Sequence, residues 1–118
     1  MTRLKNRADF LRAARGIRRS AAGLTLELCP TPTPLSDGLR VGFTASRKVG
    51  NAVARNRAKR RLRAAAAALL PLHGRKGHDY VLVARTATLT RKFDDLLADL
   101  TGALTAAHAR LGRPGETQ

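Results

Sequence analysis

The sequence is poor in aromatic and acidic side chains and holds a single cysteine. Its aromatic residues are Phe10, Phe43, Tyr80 and Phe93, so the core must be built mainly from Ala and Leu. Cys29 has no second cysteine to pair with, which excludes an intramolecular disulfide. Because Cys29 lies among alternating apolar residues, we expect a buried and inert thiol.

Long hydrophobic runs are also missing. No apolar stretch reaches the roughly 18 residues of a membrane-spanning helix, and the N-terminus lacks the apolar segment of a signal peptide. We therefore expect a soluble, cytoplasmic protein that does not enter a membrane. The length of 118 residues suits one domain, predicted over residues 1–111, followed by a disordered tail over residues 112–118.

Basic residues, in contrast, are abundant and clustered. Lys and Arg number 23 against eight Asp and Glu, a formal net charge of +15. Residues 40–63 contain nine basic side chains and no acidic one, and residues 3–19 contain seven against Asp9 alone. Such clustering indicates a polyanionic partner. Structured RNA, duplex DNA and an anionic membrane surface are the three alternatives at this point.

Hydrophobic periodicity predicts an α+β fold in the order α-β-β-α-β-α, with a small mixed sheet packed against three helices and the possibility of an extra short strand. The predicted elements are a helix over residues 6–15, strands over 24–28 and 39–46, a helix over 51–71, a strand over 80–84 and a helix over 91–111. Asn6 and Asn51 stand where the first two helices need N-caps. A proline-rich stretch, residues 30–38, is predicted to be a loop.

The second predicted helix combines an apolar stripe with a basic face. On a helical wheel one stripe is formed by Ala54, Ala58, Leu62, Ala65 and Leu69. The neighbouring face carries Arg55, Asn56, Lys59, Arg60 and Arg63, with Arg57 and Arg61 on the opposite border. A solvated charged face is the ordinary interpretation of such a pattern, but no acid interrupts this one, which favours binding to RNA phosphates. Few aromatics are available to stack on bases, and we rank Phe10 above Phe43, whereas Tyr80 and Phe93 are predicted core residues.

Residues 39–63, LRVGFTASRKVGNAVARNRAKRRLR, closely resemble the signature of the ribonuclease P protein family, in which a strand leads through a Lys-x-Gly-Asn-Ala-Val turn into an Arg-Asn-Arg helix. Asp9-Phe10 in a basic first helix and the segment DYVLVAR at 79–85 are placed as in that family. The resemblance implies a fold like the second domain of ribosomal protein S5, with a left-handed crossover at the Arg-Asn-Arg helix. It also implies a protein subunit, joined 1:1 to a catalytic RNA, that helps to remove the 5′ leader from precursor tRNA.

By the same resemblance, the RNA-binding residues are Arg47, Lys48, Asn51, Arg55, Asn56, Arg57, Lys59, Arg60, Arg61 and Arg63. The leader cleft is expected to hold Phe10, Phe43, Arg55, Asn56, Lys59 and Arg63. Relatives often carry further cleft aromatics where this chain has Ala14 and Glu27. We therefore expect electrostatic attraction to carry more of the leader binding here.

No protein active site is expected. His73, His78 and His108 are scattered along the chain, and the acids Asp94, Asp95 and Asp99 are explained more simply as a solvated helix start than as a metal site. The family resemblance agrees, since it assigns catalysis and most Mg²⁺ binding to the RNA subunit. The rival interpretations, a ribosomal or general RNA-binding protein, a DNA-compacting protein and a membrane-surface peptide, explain the charge but not the signature.

Overall fold

The computed structural model describes residues 1–32 and 38–112, which form one five-stranded sheet and three α-helices. The elements in chain order are β1 (Thr2–Arg3), α1 (Arg7–Ala14), β2 (Ile17–Ser20), β3 (Leu24–Pro30), β4 (Arg40–Thr44), α2 (Ala52–His73), β5 (His78–Ala84) and α3 (Phe93–Leu111), with a 3-10 turn at Thr86–Leu89 before α3. No helix in the described part of the chain is long and apolar enough to cross a membrane.

The strands are ordered β1-β4-β5-β3-β2 across the sheet. β2 pairs with β3 and β3 with β5 in antiparallel fashion, while β4 pairs with β5 and with β1 in parallel. Because β4 and β5 are adjacent and parallel, the chain must cross between them, and α2 is that crossover.

One face of the sheet is covered by α2 and α3. Leu24, Leu26 and Leu28 point to this face from β3 and are completely buried, and Tyr80 and Leu82 join them from β5. The helices contribute Ala58, Leu62, Ala65, Ala66 and Leu70 from α2 and Leu96, Leu100, Ala103, Leu104 and Ala107 from α3. We call this the core face.

The opposite face is covered only in part, by α1. Ala13 of α1 packs with Leu4, Cys29 and Val81 in a second, smaller apolar cluster. The Cys29 thiol is buried as predicted, and burial, assisted by the nearby Asp79 carboxylate, raises its pKa to about 11. A thiol with such a pKa stays protonated and unreactive at neutral pH. We call this side of the sheet the α1 face.

The predicted fold class and core order are confirmed, and two short strands were missed. β1 and β2 have two and four residues, too few for a periodic pattern, although an extra short strand had been left open. Asn51 caps α2 as predicted, its side chain accepting a hydrogen bond from the Ala54 N–H at 2.9 Å, whereas the Asn6 side chain makes no capping bond. Phe93 was predicted to be core but lies 37% exposed at the start of α3. Residues 33–37 of the predicted loop and 113–118 of the predicted tail lie outside the described residues, and the domain boundary at residue 111 stays a prediction.

Candidate nucleic-acid interface

The basic half of α2 is set in place by the turn that precedes it. Gly50 adopts a φ of +147°, a conformation that side chains rarely allow, and Asn51 then caps the helix. The last turns of α2 bury Ala65, Ala66 and Leu70 against the core face, which anchors the helix. Its first three turns therefore hold a fixed series of cations, Arg55, Arg57, Lys59, Arg60, Arg61 and Arg63, with no acid anywhere in α2.

Three of these six cations are exposed, and none of the six pairs with a carboxylate among the described residues. Arg57, Arg60 and Arg63 are exposed, and Arg55 and Lys59 are half-buried. Arg47, Lys48 and Asn56 are exposed as well. Within residues 1–32 and 38–112, the ion pairs involve other cations, namely Arg12, Arg18, Arg40 and Arg91. The predicted RNA-binding surface is thus a positive surface that the described part of the protein does not neutralise.

Arg61 differs from its neighbours on α2. Its guanidinium donates a hydrogen bond to the backbone carbonyl of Arg91, two residues before α3, and its Nε is buried without a partner among the described residues. Arg61 is half-buried as a result. This arginine therefore ties α2 to the segment that precedes α3, a contact that the sequence did not predict.

The two candidate stacking rings lie on opposite faces of the sheet. Phe10 packs on the α1 face, where a methyl group placed on Gly42 would come within 2.5 Å of its ring. Phe43 follows Gly42 in β4, so it points to the core face, where it packs at the edge of the core and Arg3 lies 5.5 Å from the ring centre. The prediction that Phe10 and Phe43 share one cleft is wrong. In the alternating pattern of this strand, Phe43 shares its face with the apolar Val41. That pattern could have assigned Phe43 to the core face.

The remaining residues of the predicted leader cleft are on α2. This helix packs on the core face, whereas Phe10 sits on the α1 face. The predicted cleft is therefore divided between the two sides of the sheet. Arg55, Asn56, Lys59 and Arg63 lie on the basic side of α2, which we call the α2 surface, and Phe10 lies on the α1 face.

On the α1 face a series of ionic contacts ties α1 to the sheet. We call the set Thr31, Asp79, Arg40, Asp9 and Arg12 the ion chain. Asp79 accepts hydrogen bonds from the Thr31 hydroxyl at 2.8 Å and from Arg40 Nε and Nη2 at 2.8 and 2.7 Å. Arg40 Nη2 also reaches Asp9 Oδ1 at 3.3 Å, and Arg12 Nη1 reaches the same oxygen at 2.8 Å. The hydrogen bond from Arg12, together with Arg40, lowers the pKa of Asp9.

Beyond the end of the face that α1 covers lies an open polar groove of about 410 Å³. It is lined by Arg18, Ser20, Thr25, Ser46, Lys48, Val49, Val83, Ala84, Arg85 and Thr86. Arg18, Lys48 and Arg85 are exposed and come from three separate segments of the chain. Sequence inspection had selected only Lys48 of these three, because the other two stand outside the family signature. The groove thus offers three converging cations and a row of hydroxyl groups.

Glu27 lies deep beside this groove and is nearly fully buried. Its carboxylate pairs with Arg18 Nη1 at 3.1 Å, while Arg18 itself remains 57% exposed. Burial raises the pKa of Glu27, and the positive charge of Arg18 opposes that rise. At position 27, where the family resemblance leads us to expect an aromatic ring, this chain has a buried carboxylate that holds Arg18 in place.

The acids at the start of α3 do not all have the same role. Asp94 and Asp95 are exposed, as predicted for a solvated helix start. Asp99, in contrast, accepts a hydrogen bond from the Gly23 N–H at 2.9 Å and pairs with Arg91 Nε at 2.8 Å. The assignment of Asp99 to a solvated surface is wrong, because it ties α3 to the β2–β3 turn. Among the described residues, His, Cys, Asp and Glu side chains nowhere gather in threes as a metal site would need.

Comparison with known proteins identifies the family. The ribonuclease P family model matches residues 1–108. The chain belongs to the ribonuclease P protein family. It is 53% identical to the ribonuclease P protein component of Ruegeria pomeroyi over 107 residues, covering 90% of this chain and 86% of the relative. It is 54% identical to that of Paramagnetospirillum magneticum, covering 88% and 80%.

Solved ribonuclease P proteins share the fold. The protein from Staphylococcus aureus superposes with a TM-score of 0.73 at 27% identity, covering 91% of this chain and 95% of that one. The Thermotoga maritima protein gives a TM-score of 0.73 at 24% identity, covering 90% and 97%. This chain is accordingly a protein component of ribonuclease P, an endoribonuclease that works as a metal-dependent ribonucleoprotein.

Proposed function

We propose that this chain binds the ribonuclease P RNA through the α2 surface and holds the 5′ leader of precursor tRNA on the α1 face. The observation that carries the proposal is the series of unneutralised cations on α2, fixed at one side of a folded body. Arg47 and Lys48 extend this surface into the turn before the helix, and Asn51, Arg55, Asn56, Arg57, Lys59, Arg60 and Arg63 complete it. The protein joins its RNA partner 1:1 in the cytoplasm.

Arginine and lysine suit RNA phosphates for different reasons. The guanidinium group offers a planar fork that fits two phosphate oxygens and stacks on bases, whereas the ammonium group acts as a point charge. Like charges at i and i+4, such as Arg55 with Lys59, repel each other by a few tenths of a kcal/mol in a free helix. Bound phosphates relieve this repulsion. Arg61 contributes to the surface less directly, because its guanidinium is already bonded to the Arg91 carbonyl.

The leader is assigned to the side of the sheet that α1 leaves open. Phe10 supplies one ring for a base to stack on, and the groove supplies Arg18, Lys48 and Arg85 for phosphates. Phe43 is not part of this path, because it points to the core face. Because few aromatic rings are available, the leader is held mainly by charge. The pairing of Arg18 with Glu27, which keeps a cation beside the groove, supports this proposal.

The protein assists cleavage and the RNA performs it. The described residues do not fit a magnesium site, since no group of carboxylates and imidazoles gathers there. By the family resemblance, magnesium is held mainly by the RNA, where it would supply the charge stabilisation that phosphodiester hydrolysis needs. The contribution of this chain is to bind and orient two RNA molecules and to reduce the repulsion between their phosphates.

The test is cleavage of a precursor tRNA at low magnesium by a bacterial ribonuclease P RNA, with and without this protein. The protein alone is expected to be inert, and the RNA with the protein is expected to cut accurately at the 5′ end of the mature tRNA. If the protein binds RNA but gives the ribonuclease P RNA no gain, a general RNA-binding role is the better account.

The division between the two surfaces is tested with matched substitutions. Arg85→Gln removes a groove cation together with its hydrogen bond to the Ala21 carbonyl, and Arg60→Gln removes an α2 cation. Both substitutions lower the net charge by one. Arg85→Gln is expected to weaken binding of precursor tRNA more than that of mature tRNA, because only the precursor has a leader. Arg60→Gln is expected to weaken assembly with the RNA subunit. Equal effects of Arg85→Gln on precursor and mature tRNA would remove the groove from the leader path.

A further inference from the structure

Asp79 is the most deeply buried charged residue on the α1 face, with no exposed surface at all. Arg40 lies directly opposite it in the parallel pairing of β4 with β5. Two nitrogens of the Arg40 guanidinium meet both Asp79 oxygens at 2.8 and 2.7 Å, the fork geometry of a strong charge-assisted pair. The Thr31 hydroxyl satisfies a further lone pair of the carboxylate.

Arg40 does more than neutralise Asp79, because its guanidinium also contacts α1. Its Nη2 contacts Asp79 at 2.7 Å and also Asp9 of α1 at 3.3 Å. Asp9 is held from the other side by Arg12, at 2.8 Å. The Arg40 guanidinium therefore connects Asp79, on the central strand of the sheet, to the first turn of α1.

Phe10 is the next residue after Asp9, and its ring packs closely on the sheet. The ring lies over Gly42, where an added methyl group would come within 2.5 and 2.7 Å of two ring carbons. Gly42 and Arg40 both belong to β4, two positions apart, so they point to the same face. The ionic contact and the ring contact thus hold α1 at two neighbouring points of one strand.

Buried ion pairs commonly add little stability compared with apolar residues of the same size, and their best-attested effect is to select one geometry. We infer that Arg40 and Asp79 are positioning residues for leader binding, which hold α1 so that Phe10 is presented to the leader. This inference rests on the proposed leader path along the α1 face. It adds that the path depends on two residues that do not touch RNA.

The test compares precursor and mature tRNA binding by the holoenzyme reconstituted with full-length protein variants. Asp79→Asn keeps the shape of the side chain but breaks the charged fork, and Arg40→Lys keeps the charge but cannot bridge two carboxylates. Each is expected to lower the precursor-to-mature affinity ratio by about tenfold, while affinity for the RNA subunit changes by less than about twofold. If Asp79→Asn fails to fold, Arg40→Lys decides the question, since it leaves no buried carboxylate without a cation.

Tyr80→Phe is the matched control. Tyr80 follows Asp79 in β5 and points to the core face, where its hydroxyl bonds to the Arg75 N–H and to His108. Its substitution breaks buried hydrogen bonds without touching α1. We expect Tyr80→Phe to lower stability and leave the precursor-to-mature ratio unchanged, which separates positioning from general destabilisation.

Phe10→Ala distinguishes failure of the inference from failure of the proposed leader path. If Phe10→Ala lowers the ratio and Asp79→Asn and Arg40→Lys do not, the inference is overturned and the leader path stands. If Phe10→Ala has no effect, both are overturned. If the positioning acts through the ring, the double variant Phe10→Ala with Asp79→Asn loses no more than Phe10→Ala alone, and additive losses would contradict it.

Discussion

The two faces of the sheet are built on different principles. The core face is aliphatic and closed, with Leu24, Leu26 and Leu28 completely buried beneath two helices. The α1 face buries charge instead, in the ion chain and in the pair of Glu27 with Arg18, and leaves a groove open. One strand, β3, therefore contributes to a packed interior with one side and to a polar surface with the other.

This contrast shows how a small, basic protein separates folding from binding. Apolar burial stabilises a fold without depending on the direction of each contact. Ionic contacts are directional and hold side chains at defined positions. Net charge of +15 opposes a compact fold. The closed core face provides the stability that lets the two proposed RNA-binding surfaces, the α1 face and the α2 surface, keep their cations.

Removing a buried side chain from the core face should have the largest effect. Leu26→Ala is expected to lower the free energy of unfolding by about 2–5 kcal/mol, because it leaves a cavity between the sheet and two helices. Urea unfolding followed by circular dichroism measures it. Val83→Ala, on the floor of the half-open groove, is the comparison and is expected to cost less than half as much. Equal losses would mean that the two faces contribute equally to folding.

Overfilling the α1 face is expected to cost less. Gly42→Ala places a methyl group against the Phe10 ring, which must shift, at about 1–3 kcal/mol of stability. The same variant should weaken binding of precursor tRNA, because the Phe10 ring is displaced from its position over Gly42. Gly102→Ala, in α3, is the control, since a methyl group there meets nothing within 4 Å. If Gly42→Ala is as stable as the parent and binds precursor normally, the ring is not held by Gly42.

The sequence predicted the fold where its patterns were long. Leu24, Leu26 and Leu28 alternate over a whole strand, and the helical periodicity of α3 extends over 19 residues. β2 has four residues, and its pairing with β3 rather than its own pattern makes it a strand. The left-handed crossover stays a prediction from family resemblance, because no local pattern encodes handedness.

The site was predicted less completely, because its contacts join distant parts of the chain. Arg40 and Asp79 meet only through the register of β4 with β5, which the sequence does not display. A helical wheel puts Arg61 at the border of the apolar stripe, where an arginine can reach either solvent or a neighbouring helix. The basic face of α2 was predictable because it depends on local spacing alone.

Two adjacent arginines of α2 sharpen the contrast between binding and folding. Arg60→Gln removes a solvent-facing cation and is expected to weaken RNA binding severalfold. The plot of log affinity against log salt concentration should become shallower by about 0.7–0.9, the value for one phosphate contact. Arg61→Gln removes the bond to the Arg91 carbonyl, so stability should fall by about 0.5–1.5 kcal/mol. Salt titrations of RNA binding and urea unfolding of both variants measure the difference. A larger change of salt slope for Arg61→Gln than for Arg60→Gln would reverse the assignment.

The smallest expected effect is a pH dependence of stability that arises from His108, at the edge of the core face. The Tyr80 hydroxyl accepts the Arg75 N–H at 2.7 Å and can donate its proton to His108 Nε2 at 2.8 Å, which requires a neutral ring. Burial, and then the positive charge of Arg75, lowers the pKa of His108. The unfolded chain, with a histidine pKa of about 6.5, thus takes up a proton before the folded protein does as pH falls. The stability associated with neutral His108 is fully present above that pH and declines below it.

Urea unfolding at pH 8 and pH 5.5 tests this linkage. We expect the parent protein to lose more stability between these pH values than His108→Gln, which keeps an acceptor for the Tyr80 hydroxyl but does not titrate. Tyr80→Phe should retain most of the pH dependence, because burial is the first cause of the lowered pKa and the hydrogen bond is not. An identical pH dependence for the parent and His108→Gln would show that the histidine is not linked to folding. The core face would then be insensitive to pH, and the contrast with the charged α1 face would be sharper still.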